Sequence, residues 1–275
     1  MIFIRSTQIR VLALLIIYTG VFFLQESQQQ HGQHHLGETL PARLQQAGLG
    51  YFQQLGAEML YLKVMVFLGG RGQDEPVTSY APTLDRHFQV ISDLHPSFQD
   101  TYNICQSSLS WISPKFARRV NLVMKKGMEA RPDLWMLPFF VGFNYFRYLD
   151  QPGEASKYLW KASKADEAPD WIGHLATVLA AEDGDIYGGM LWLKAMLVAE
   201  DNEMVSARYR ADIVEFEKAI VVLQALSRYR KQYGRGPAAL DDLQPEFLPD
   251  LPKMERGYEL WYEASSLRLR RGQVH

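Results

Sequence analysis

Pro96-Ser97-Phe98, Pro132-Asp133-Leu134-Trp135 and Pro169-Asp170-Trp171 are three versions of one phrase, a proline followed closely by a large apolar residue. The prolines at 96, 132 and 169 recur at intervals of 36 and 37 residues. Each start is followed by a helical-looking segment, a break and a second helical-looking segment. A fixed period in the thirties with two helices per period is the mark of a helical solenoid, in which each pair buries its apolar side against its neighbours. The spacing predicts an all-α fold whose surfaces serve other proteins.

Three phased units follow from this. Ser97 to Trp111 is a first helix, and Pro114 opens its partner through Phe116, Val120, Val123 and Met124. Asp133 to Leu149 and Pro152 to Lys164 form the next pair. Asp170 to Ala181 and Asp185 to Ala199 form the third. Proline suits the first turn of a helix, and glycine or aspartate suits the divide between two. Upstream, Pro41 opens the folded part, and Ala42 to Leu68 reads as one long helix in which Gly48, Gly50 and Gly56 invite a bend or close packing. Tyr80 to Leu94 carries Leu84, Phe88, Ile91 and Leu94 on one side, so these two segments make a more degenerate fourth pair. Downstream, Asn202 to Tyr233 is a long helix stopped by Gly234-Arg235-Gly236-Pro237. Ala239 to Leu243 is a short helical turn, and Tyr258–Tyr262 and Leu267–Arg270 alternate as a small β-hairpin cap.

The N-terminus has a different character. Arg5 and Arg10 precede Val11 to Leu24, a run of 14 uncharged residues. As a helix this run spans about 21 Å, against about 30 Å of bilayer core. Two readings are open: a cleaved signal peptide, or an uncleaved membrane helix from Ser6 to Leu24 with Arg10 reaching the headgroups. No A-x-A-like cleavage site follows, which favours the anchor. Basic residues before the run put the N-terminus in the cytoplasm and the rest outside, the periplasm in a bacterium. The expected organisation is a membrane anchor or signal peptide over 1–24, a Gln/His-rich tether over 25–40, helical repeats over 41–201, and a long helix with loop and hairpin cap over 202–275.

Gly142, Tyr145, Ala155, Leu159 and Ala162, closed by Pro169, resemble the small–aromatic–small pattern of the tetratricopeptide repeat. That resemblance implies close approach of paired helices at Gly142 and Ala155, and a concave groove lined by the first helix of each pair. More widely, Tyr51 to Lys63, Leu94-His95-Pro96-Ser97-Phe98 and Tyr102-Asn103 resemble a poorly characterised family of membrane-anchored tetratricopeptide proteins of the bacterial envelope. Gln54 and Glu58 stand where that family has arginine and aspartate. The stretch from Tyr233-Gly234-Arg235-Gly236-Pro237 through Gly257-Tyr258-Glu259-Leu260 faintly resembles the C-terminal part of type II secretion pseudopilins, without their N-terminal methylation motif.

Chemistry is sparsely signalled. A net charge of −2 supplies no field for nucleic acid. The single cysteine, Cys105, cannot form an intrachain disulfide and reads as a small core residue. No G-x-S-x-G, H-E-x-x-H or P-loop pattern is present. Asp183 and Asp185 flank a glycine, and turn chemistry accounts for them. His31, His34 and His35 are close enough to hold a transition metal, but no carboxylate pattern or second shell accompanies them, and a polar tether is the favoured reading. No catalytic residue, metal site or cofactor is expected, and the many aromatics read as core.

The expected function is a scaffold or assembly factor that binds other envelope proteins from the inner membrane. The alternatives are a structural subunit of a secretion- or pilus-type machine and, further off, an enzyme or metal sensor. On the first helices, Asn103, Gln106, Asn144, Arg147 and His174 are the polar residues that packing does not explain. They are the candidate binding residues for an extended or helical partner segment.

Overall fold

The computed structural model describes residues 36–71 and 75–272, together with Leu15, Ile16 and Thr19. The expected anchor (those three positions apart) and the tether histidines lie outside the described residues. Among the described residues, no helix is long and apolar enough to cross a membrane.

The chain is mostly helical and ends in a two-stranded antiparallel hairpin. Its elements are α1 (Ala42–Leu49), a 3-10 turn (Gly50–Phe52), α2 (Gln53–Gly70), α3 (Val77–Leu94), α4 (Gln99–Leu109), α5 (Pro114–Ala130), α6 (Met136–Arg147), α7 (Pro152–Ala162), α8 (Trp171–Asp183), α9 (Ile186–Ala199) and α10 (Glu203–Tyr233). A second 3-10 turn (Leu240–Leu243) precedes β1 (Tyr258–Glu263) and β2 (Ser266–Arg271). The long first helix expected from Ala42 to Leu68 is broken. Gly50 adopts φ 52°, the left-handed region open to glycine, and α1 and α2 fold as separate helices around it.

Local chemistry accounts for the other boundaries. The Ser113 hydroxyl accepts from Phe116 N at the start of α5, with Pro114 in the first turn. Gly184, at φ 103°, closes α8, and the Asp185 carboxylate then accepts from Gly188 N to open α9. This is the turn role expected of Asp183-Gly184-Asp185. Asn202 caps α10 by accepting from Met204 N and Val205 N, and left-handed Gly234 ends it after Arg230 and Lys231.

Helices pack on their neighbours in chain order from α2 to α10, with α3 also touching α5. The buried apolar residues follow the same progression. One cluster runs from Leu36 and Ala57 to Leu137 and Val141. A second joins α7 to α8 through Ala155, Leu159, Ile172 and Ala176. A third joins α9 and α10 to the hairpin. The expected close approach in the middle pair is present: a Cβ on Gly142 would meet Leu159 Cγ at 2.8 Å and the Ala155 carbonyl oxygen at 3.0 Å.

The hairpin pairs Leu260 with Leu269 and Tyr262 with Leu267 across a two-residue turn, Ala264-Ser265, both at positive φ. Tyr258, Leu267 and Leu269 turn inward, and β2 lies on α8 as well as α10. The hairpin therefore closes over the C-terminal helices.

Candidate functional site

Helix α6 is apolar on two sides. Leu137, Pro138, Val141 and Gly142 face the core and are buried. Trp135, Phe139, Phe143 and Phe146 recur every three or four residues on another side, which places them in one stripe. Phe143 is 36% exposed and Phe146 42%. The rings adjoin one another along the stripe: Trp135 meets Phe139 edgewise at 5.8 Å between centroids, Phe139 is tilted against Phe143 at 6.2 Å, and Phe143 meets Tyr148 edgewise at 5.9 Å. Trp171, at the start of α8, crosses from the next unit to stand perpendicular to Phe139 at 5.6 Å, and it is 48% exposed. The first helices of two successive pairs thus share a single aromatic face. Each half-exposed ring leaves roughly 100 Å² of apolar surface in water, about 2 kcal/mol that a partner could recover.

Trp135 also lines a depression of about 240 Å³ with Met128, Leu134 and Pro138, whose rim carries Arg131, Lys161 and Lys164. Arg131 is engaged by Asp133 at 2.6 Å. Lys161 and Lys164 are exposed, and the Lys164 ammonium sits 3.7 Å from the centre of the Trp160 ring. The depression is small for a drug-sized ligand, which takes roughly 300 Å³ or more. It can seat one side chain or a carboxylate beside the aromatic face. Among the described residues, no group of three or more His, Cys, Asp or Glu side chains could hold a metal ion.

The five expected binding residues separate. Arg147 is exposed at the end of the aromatic stripe, its guanidinium 5.9 Å from the Tyr148 ring centre. Asn103 is half-buried on α4. Gln106 and Asn144 are buried and occupied with each other: Gln106 Nε2 donates to Asn144 Oδ1 at 2.8 Å, and Asn144 Nδ2 donates to Gln106 Oε1 at 3.0 Å. Asn144 Nδ2 also donates to Asn121 Oδ1 of α5 at 2.8 Å. These amides tie α4, α5 and α6 together inside the core. His174 is buried too, its Nε2 2.7 Å from Asp212 Oδ2 of α10. Packing therefore explains Gln106, Asn144 and His174, and their burial removes them from an exposed groove lining.

Asp212 is fully buried and accepts a second bond from Arg256 Nε at 3.1 Å. Burial alone would raise its pKa. The hydrogen bonds from His174 and Arg256 outweigh it and hold the carboxyl below its ordinary value. One turn on, Glu215 accepts from Lys218 Nζ and from the Glu255 amide, both at 2.7 Å. Together these bonds fasten the segment before the hairpin to α8 and α10, a structural rather than a chemical task. Burial also raises the Cys105 thiol, so the one cysteine is inert.

The aromatic face is what the sequence reading missed, since the aromatics were expected in the core. The available signal was α6 itself, Met136-Leu-Pro-Phe-Phe-Val-Gly-Phe-Asn-Tyr-Phe-Arg147, which carries more large apolar residues than one buried side can use.

Compared with family profiles, curated proteins and solved structures, the chain matches none.

Proposed function

We propose that this protein is a membrane-anchored interaction scaffold of the bacterial envelope, whose helix pairs form a tetratricopeptide-like solenoid that binds segments of other proteins. The observation that carries the reading is the contact of Phe139 with Trp171, which joins two first helices into one exposed aromatic face. The repeat spacing and the close approach of α6 and α7 at Gly142 support the solenoid. The basic-then-apolar order of residues 5–24 supports the anchor. The preferred segment carries one or two large apolar side chains for the stripe and a carboxylate for Lys161 and Lys164 beside the Trp135 depression.

Selection of a random peptide library on the full chain tests this. Enriched peptides are expected to carry an aromatic or large aliphatic residue within about one helical turn of an Asp or Glu. Phe143→Ala and Trp171→Ala should each lose at least tenfold in affinity for them. Peptides that bind both variants as well as the parent would defeat the assignment.

A further inference from the structure

Helix α2 carries a second surface that is uncovered among the described residues, on a different part of the molecule. Its inner side is covered: Ala57, Val64 and Phe67 are buried. On the outer side Leu55 is 54% exposed, Met59 61%, Leu62 56% and Val66 67%, and Phe52, the last residue of the 3-10 turn before α2, is 67% exposed. Their spacing of three, four, three and four residues is that of alternating a and d positions over two heptads. Four large apolar side chains in one exposed stripe on α2, extended by Phe52 of the turn before it, are what a coiled-coil seam presents before its partner arrives.

The charges beside the stripe choose the partner. Glu58, at g, lies on one flank and Lys63, at the following e, on the other. Both are exposed, and neither has an ion-pair partner among the described residues. Five residues from g to the next e is the separation that brings the two together across a parallel pair of identical helices, twice by symmetry. In an antiparallel pair the g flank meets g and the e flank meets e, so Glu58 and Lys63 lie on opposite edges and cannot pair. A lipid surface fits poorly, because α2 carries one acid and one base and no cationic border.

We infer that α2 is a homodimerisation helix that pairs in parallel with α2 of a second copy of this chain. Because α2 is already folded against α3, pairing does not have to supply the cost of helix formation. Two heptads make a short seam, so the dimer is reversible and dissociates on dilution.

The test is same-residue crosslinking in the full chain, with Cys105 replaced by alanine. Phe52→Cys, Met59→Cys and Val66→Cys are each oxidised, with the exposed off-stripe Gln54→Cys as control and a thermal melt as the check of folding. Disulfide dimers from all three stripe positions and none from the control are expected. Crosslinking at Met59→Cys alone would mean antiparallel pairing and overturn the assignment. No crosslinking at any of the three, as when another segment of the same chain covers the stripe, would overturn it as well. Glu58→Lys should weaken dimerisation about tenfold, and adding Lys63→Glu to it should restore the parent value. Failure of that rescue would remove the orientation claim.

Discussion

The side-chain amides of Gln106 and Asn144 donate to each other at 2.8 and 3.0 Å across two helices that lie 38 residues apart in sequence. With Asn121 they form a buried amide network in an otherwise apolar layer, where an unpaired member costs far more than a paired one contributes. Asn144→Leu should leave the Gln106 and Asn121 amides unsatisfied at a cost of about 3 kcal/mol, lowering the thermal midpoint by roughly 8 °C. Adding Gln106→Leu should cost less than its own effect in the parent chain, because the two residues share the loss. Additive midpoints in a calorimetric double-mutant cycle would show that the network does not act as a unit.

The Asp212 carboxyl sets a dependence on acid. Its folded pKa lies below the unfolded one, so its contribution is fully present above about pH 4 and is lost as pH falls through the depressed folded value. Asp212→Asn should lower stability at neutral pH by about 2 kcal/mol and flatten the acid limb of the curve. Urea unfolding between neutral pH and pH 3 measures both. An unchanged acid limb in the variant would assign the dependence to other carboxylates.

Two helical glycines should respond in opposite directions to alanine. A methyl on Gly142 meets a backbone oxygen at 3.0 Å and Leu159 at 2.8 Å, whereas one on Gly48 meets nothing within 4 Å. Alanine gains up to about 1 kcal/mol of helix propensity at either site, but overpacking costs about 1–3 kcal/mol, and the carbonyl cannot swing away. Gly142→Ala is expected to destabilise and Gly48→Ala to stabilise slightly. Urea midpoints that move in the same direction would refute the close approach.

On the second-helix side, Trp160 of α7 and Trp192 of α9 stack at 4.7 Å with their planes 9° apart. Two indoles this close couple their electronic transitions, so the far- to near-ultraviolet circular dichroism should carry a paired positive and negative band. Trp192→Leu should abolish it and cost about 1 kcal/mol beyond lost area. A spectrum indifferent to the substitution would mean that the rings are not stacked in solution.

What could be read from the sequence is whatever short-range chemistry writes. Pro114, Pro152, Asp183-Gly184-Asp185, Asn202 and Gly234 act within one helical turn, and the boundaries they mark fall where expected. The alternation of Tyr258–Tyr262 and Leu267–Arg270 likewise declares the hairpin. Burial of the polar residues could not be read, because the partner that explains each one is distant. Asn144 needs Gln106, and His174 needs Asp212, each 38 positions away. The exposed face of α6 was hidden for the opposite reason: a helix apolar on two sides gives no phase that says which side faces water. The break between α1 and α2 turns on one backbone angle at Gly50, which its neighbours do not announce.

The bonds from Arg256 to Asp212 and from the Glu255 amide to Glu215 have a consequence for how the chain is made. Synthesis delivers the polypeptide from its N-terminus. Helix α10 therefore emerges with Asp212 lacking a partner that follows 44 positions later. The early helix pairs, whose contacts are with sequence neighbours, can settle as they appear. Helix α10 reaches its final packing only when the segment before the hairpin arrives, so Glu255 and Arg256 act as a latch that closes late on a helix made some 40 positions earlier.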